Sequence, residues 1–304
     1  MAESFAARTL HSAGDGRDAR KRSSPGKDLL RVFLLILFLG PGGGCLSPGR
    51  PDVPMEPCAV FRCDEGGIIR GRTNRKEMAL VFTGGDFADG GEHIRRVLRE
   101  KGVRAGFFFT GDFYRSPENA GLIRGLIADG HYLGPHSDKH LLYCSWEDRA
   151  KTTVTREEFR ADLLANYRIM ETFGLRREGA RVFIPPYEWY NREIADWARE
   201  MGLVLFNFTP GTSSNADYTT PDMPEYLSSP VIWNRIWACE EKDPDGLNGF
   251  ILLIHVGTDP KRTDKFYFQI GRLIDGLTAK RYRIVRIDRL LAPAISSPAI
   301  RPGL

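Results

Sequence analysis

Two histidines stand four residues apart in His136-Ser137-Asp138-Lys139-His140, entered through Gly130-His131-Tyr132-Leu133-Gly134-Pro135. Residues at i and i+4 share one face of a helical turn, so both rings are expected to reach one divalent cation. Neutral imidazole is a preferred ligand for zinc and related ions. A catalytic zinc takes three protein ligands and a water, a structural one four protein ligands. The other reading of the same spacing is a polar turn with two solvated histidines. Cys144 continues the series, but eight residues of helix span about 12 Å and zinc bonds are about 2 Å long. One ion therefore cannot hold all three. Cys144 is expected to be packed or oxidised, and the third ligand to come from elsewhere in the chain.

The elements that must position these rings alternate from about Lys76 onward. Short apolar runs at 79–82, 105–109, 132–134, 182–184, 203–208, 250–256 and 283–287 read as seven strands. Most are apolar on both faces, as buried parallel strands are. Between them lie helical stripes. Ile94, Val97 and Leu98 mark one, and Leu122, Ile123, Leu126 and Ile127 another, opened by Ser116-Pro117. Thr155-x-x-Glu158 is a capping box ahead of Phe159, Leu163, Tyr167 and Met170, and Asn191 caps the helix of Ile194 and Trp197. Such alternation means parallel strands with right-handed crossovers, in a barrel or an open doubly wound sheet. Either way, functional residues gather beyond the C-terminal strand ends. Those ends are 84–89, 111–114, 136–140, 185–191, 209–218 and 255–258.

With 304 residues, 42% of them hydrophobic, the chain is long enough for one large α/β domain. Its formal charge of +4 is concentrated at the start, where residues 1–31 hold seven Lys and Arg against four Asp and Glu. The remainder is close to neutral, so no nucleic-acid partner is expected. The basic start leads into an apolar run at 32–39, too short to span a bilayer comfortably but suited to a signal peptide. Small residues at 42–44 before Cys45 suggest a lipoprotein processing site, with membrane contact only through this leader or a lipid anchor. A soluble exported form and an uncleaved anchor are the alternatives. We expect a leader at 1–45, a linker and N-terminal extension at 46–75, a catalytic domain at 76–292 and a tail at 293–304. Export permits disulfides. With Cys45 lipidated, four cysteines remain, and Cys58–Cys63 is the obvious local pair among three possible connectivities.

The order of motifs is specific. Lys76-x-x-Ala79-Leu80-Val81-Phe82, Gly102-Val103-Arg104-Ala105-Gly106-Phe107-Phe108, His136-x-x-x-His140, Pro185-Pro186-Tyr187 and Leu253-Ile254-His255 follow one another. This series resembles the polysaccharide deacetylases of the NodB-homology type, carbohydrate esterase family 4. The resemblance implies a distorted (β/α)7-type barrel and metal-dependent removal of acetyl groups from an N- or O-acetylated glycan. It makes His136 and His140 ligands of a divalent metal, zinc first, and His255 the general acid that protonates the leaving amine or alkoxide. A metal polarises the acetyl carbonyl and lowers the pKa of bound water, and an imidazole of near-neutral pKa donates a proton. Asn215-Ala216-Asp217-Tyr218 resembles the family's acidic motif, with Tyr218 in a Trp position, so Asp217 is expected to orient His255.

Three departures stand out. The family's first motif, Thr-Phe-Asp-Asp-Gly, supplies a base and a metal ligand; anchoring on Phe82 puts Thr83 and Gly84 at the two aspartates. The nearest acids are Asp86 and Asp89. Ile184 stands where the family has an arginine paired with the base, and Glu188 where it commonly has glycine. We therefore expect a rebuilt site with Asp86 as carboxylate ligand to the metal and Glu188 or Asp89 as base. Phe113, Tyr114, Trp146, Tyr187, Trp189 and Tyr218 sit in the same loops, as sugar-stacking faces or as core. A glycan-binding protein without turnover and a hydrolase of non-acetyl amides remain the rival functions.

Overall fold

The computed structural model describes residues 57–297, so the leader expected at 1–45 and most of the tail expected at 293–304 lie outside the described residues. The first elements are a hairpin, β1 (Arg62–Asp64) and β2 (Gly67–Arg70), stapled at its base by the Cys58–Cys63 disulfide. It falls in the stretch expected as linker. Ile68 and Ile69 are buried, and the buried Arg70 pairs with Asp243 at 2.7 Å, so this segment packs against the domain.

The domain proper runs β3 (Glu77–Gly84), α1 (Gly91–Glu100), β4 (Gly106–Phe109), α2 (Gly111–Arg115), α3 (Ala120–Ala128), β5 (Tyr132–Pro135) and α4 (Arg156–Glu171). It continues through β6 (Val182–Phe183), α5 (Arg192–Glu200), β7 (Val204–Leu205), α6 (Ser229–Lys242), β8 (Ile251–His255), α7 (Ile270–Ala279) and β9 (Arg283–Ile284), then two short helices, α8 (Ile287–Leu290) and α9 (Ala292–Ile295). All seven strands read from the sequence form. The central sheet is parallel in the order β5-β4-β3-β8, with β9 pairing the start of β3. β6 and β7 form a second parallel pair.

These pieces curl round one interior. Phe206 bridges Ile68 of β2, and the Thr209 amide donates to the Ile251 carbonyl of β8 at 2.9 Å. Between β5 and β6 the ladder is interrupted: the Val182 amide donates to the Tyr132 hydroxyl instead, at 2.8 Å. The result is a parallel α/β barrel that is distorted and not closed by continuous strand pairing. Alternation along each strand divides the core in two. Ala79, Val81, Phe108, Ile184, Phe206, Ile251 and Leu253 fill the barrel. Leu80, Phe82, Phe107, Phe109, Leu252 and Ile254 face outward onto Ile94 and Leu98 of α1, Ile123 of α3 and Leu273 of α7. The parity carries to the strand ends: Thr83 lies in register with Phe108 and His255 and stands at the barrel mouth.

Candidate active site

Beyond β5, residues 136–140 do not form the helical turn expected from the i, i+4 spacing. They form a loop in which Ser137 (φ 72°) and His140 (φ 53°) adopt left-handed backbone conformations. Such positions cost free energy for residues other than glycine and persist when the surroundings fix them. Two buried side chains of α4 do so here. Asn166 Oδ1 accepts from the His136 amide at 3.0 Å. Asp162 Oδ1 accepts from the amides of Asp138 (3.2 Å) and Lys139 (3.0 Å), and its Oδ2 accepts from the Tyr143 hydroxyl at 2.6 Å. The histidine rings meet with centroids 5.0 Å apart. Asp162 and Asn166 were not singled out in the sequence, although a signal exists: two polar residues one turn apart inside the apolar stripe of a helix.

Both imidazoles are kept neutral. Burial drives His136 well below its ordinary pKa, helped by the neighbouring His140 ring. Burial takes His140 down to about 4, only partly offset by the negative charge of Asp86. His136 Nδ1–H donates to the Ile184 carbonyl at 3.0 Å, which leaves Nε2 with the lone pair, the arrangement a metal-ligating histidine shows. This half of the site suits a divalent cation. The carboxylate half does not. Among the described residues no group of three or more His, Cys, Asp and Glu side chains is placed to hold a metal ion. Asp86, expected as the third ligand, is exposed beyond the end of β3 and reaches His140 through its charge alone.

The β3 end explains why. At Gly84 a Cβ would lie 2.6 Å from Val256 Cγ1, 2.9 Å from Phe109 Cδ1 and 3.0 Å from Phe113 Cε2, so no aspartate fits there without displacing core. Thr83 is buried, and its hydroxyl has no hydrogen-bond partner among the described residues. Asp89, one of the two expected bases, is engaged elsewhere. It accepts from the Thr258 amide at 2.8 Å and the Tyr267 hydroxyl at 2.7 Å, and pairs with Lys265 at 3.2 Å. These partners outweigh burial and hold its carboxyl below the usual range.

The β8 end is fully built. His255 Nδ1–H donates to Asp217 Oδ1 at 2.7 Å, and the His255 amide donates to Oδ2 at 3.0 Å. Asp217 is wholly buried on the turn 214–218. Burial alone would lower the His255 pKa, but the Asp217 carboxylate, aided by Glu188, more than offsets it and the pKa is raised. Nε2 makes no hydrogen bond among the described residues. The Tyr218 ring stands 5.2 Å from the imidazole and is 40% exposed.

Glu188 occupies the turn after β6. Tyr187 (φ 58°) and Glu188 (φ 53°) are both left-handed, successive residues in a conformation that suits glycine. Asn207 Nδ2 donates to the Glu188 carbonyl at 2.7 Å and pins the turn. The Glu188 carboxylate makes no hydrogen bond or ion pair among the described residues. Burial pushes its pKa up to about 7; the nearby positive charge of His255 counteracts that and Asp217 adds to it. Tyr187 lies 4.3 Å from the His140 ring and carries the aromatic surface on to Trp146 and Trp189. Phe113 and Tyr114, the other loop aromatics, are core.

Residues 70–206 match the family model for polysaccharide deacetylase. The chain is similar to the uncharacterized protein YlxY of Bacillus subtilis, 26% identical over 74% of this chain and 60% of that protein. It is also similar to the peptidoglycan-N-acetylglucosamine deacetylase of Bacillus cereus, 23% identical over 72% of this chain and 89% of that protein. Among solved structures, a carbohydrate esterase family 4 pseudoenzyme from Bacillus anthracis superimposes with a TM-score of 0.58 at 20% identity, covering 75% of this chain and 70% of that one. A mutant of that pseudoenzyme, described as having restored enzymatic activity, matches with a TM-score of 0.57. The barrel and its motif order agree with the match of residues 70–206 to the polysaccharide deacetylase model, and the fold is that of the carbohydrate esterase family 4 structures.

Proposed function

We propose that this domain hydrolyses acetyl groups from an acetylated glycan, with Glu188 as base and His255 as acid. The observation that carries the reading is the placement of Glu188. A carboxylate stands in a glycine conformation, at a position where related deacetylases commonly have glycine, unpaired and with a pKa of about 7. Holding a side chain there costs about 1 kcal/mol in backbone strain, and no structural contact of the carboxylate compensates.

The steps use these two residues. A water attacks the acetyl carbonyl carbon and its proton passes to ionised Glu188. The tetrahedral intermediate collapses, the bond from carbonyl carbon to nitrogen or oxygen breaks, and protonated His255 delivers its proton to the leaving atom. Asp217 holds the imidazole in the required tautomer and stabilises its charged form. Deacetylases of this family are generally metal-dependent, and a cation would supply carbonyl polarisation. His136 and His140 would hold such a cation but provide only part of its site. The similarity to a deacetylase named for peptidoglycan N-acetylglucosamine supports an N-acetylated cell-envelope glycan as substrate, and with it export of this chain.

A binding protein without turnover is the second reading, favoured by the closed space at Gly84 and by the likeness to a pseudoenzyme. Acetate release from N-acetylglucosamine oligomers, with and without added zinc, separates the two. Release that falls by about 100-fold in Glu188→Gln supports the hydrolase, whereas release unchanged by that substitution removes Glu188 from the chemistry.

A further inference from the structure

We infer that Trp146, Trp189 and Tyr187 form a sugar-binding shelf that extends the site away from His140 and holds the pyranose next to the acetylated one. It rests on the reading of the site as a glycan site. Three rings run outward from the histidine pair. Tyr187 lies 4.3 Å from His140, Trp146 meets Tyr187 edge to face at 5.5 Å with planes 78° apart, and Trp146 and Trp189 stack at 5.6 Å with planes 24° apart.

The shelf is braced from below. Trp189 Nε1–H donates to the Ser145 carbonyl at 3.1 Å. The Arg149 guanidinium lies 4.7 Å over the Trp189 ring, while its Nε donates to the Tyr190 carbonyl at 2.7 Å and one terminal nitrogen pairs with Asp64 at 2.7 Å. Arg149, Trp189 and Trp146 thus combine a cation–π contact with ring stacking, and the stack is tied to the N-terminal hairpin. Trp146 stays 36% exposed and Tyr187 45% exposed. Large aromatic surfaces left open beside a catalytic cleft mark a binding surface. The occupant is fixed by continuity with the site: rigid aromatic faces meet the apolar faces of pyranose rings, and the shelf begins at the ring that borders the reacting centre.

Calorimetric titration of the full chain with N-acetylglucosamine and its oligomers, monomer through tetramer, tests the shelf. Trp146→Ala is expected to weaken the dimer and longer oligomers by about tenfold and to leave the monomer unchanged. Trp146→Phe is expected to retain most of the affinity, and tetramer binding to alter tryptophan emission in the unsubstituted protein. Equal loss at every length, no loss at any length, or no affinity for any oligomer overturns the shelf. Acetate release is scored separately. Length-dependent affinity without acetate leaves the shelf and removes the hydrolase, while acetate release with length-independent affinity does the reverse.

Discussion

The ends of β3 and β8 lie side by side, Thr83 in register with His255, yet they have been treated in opposite ways. At the β8 end a buried carboxylate, an imidazole and a backbone amide are joined by two hydrogen bonds. At the β3 end a hydroxyl lacks a partner and a glycine has no room for a side chain. Ile184, in the barrel core, is apolar where an arginine would answer a buried aspartate. Loss of both charges together is coherent, because either alone would be buried and unpaired. The comparison teaches that the His255–Asp217 half of the site is fully hydrogen-bonded, while in the proposed mechanism a carboxylate from the turn after β6 stands in for the acids missing at β3.

Breaking the intact end gives the largest effect. His255→Asn is expected to lower kcat for acetate release by about 1,000-fold with little change in oligomer affinity, since it removes proton donation and spares the binding surface. Restoring charge at the emptied end is expected to fail structurally. Gly84→Asp forces atoms into Val256, Phe109 and Phe113 and loses about 3 kcal/mol in urea unfolding. Loosening the histidine loop is milder. Asp162→Ala leaves the amides of Asp138 and Lys139 and the Tyr143 hydroxyl unanswered, for a loss of about 2 kcal/mol by the same assay. The smallest effect sharpens the comparison most. Glu188→Gly relieves a left-handed backbone and is expected to gain about 1 kcal/mol in stability while activity falls. Opposite signs in stability and activity distinguish a functional residue from a structural one.

Much of this was legible in the chain. Seven apolar runs became seven strands, because buried parallel strands need little beyond continuous hydrophobicity and a crossover. The His255–Asp217 pair was legible as a motif, though its parts lie 38 residues apart. The loop at 136–140 was not. Its conformation is imposed by Asp162 and Asn166 from a helix 23 to 30 residues further on, and local spacing alone suggested a helical turn. Asp86 and Asp89 were read by nearness in sequence to a lost motif. One side chain is exposed and the other is committed to Thr258, Tyr267 and Lys265, contacts set by a distant loop. The hairpin before β3 was hidden in a stretch rich in Gly and charge, where a disulfide and a buried Arg70 supply order that apolar periodicity does not.

The pH dependence of kcat/KM for acetate release from an N-acetylglucosamine oligomer tests the central claim most directly. Glu188 acts ionised, so the rate is expected to rise as pH climbs through about 7. His255 acts protonated, so the rate is expected to fall above a pKa raised over the ordinary histidine value. Glu188→Gln should erase the acidic limb and keep the alkaline one. An acidic limb that survives the substitution, or no acetate at any pH, contradicts the account.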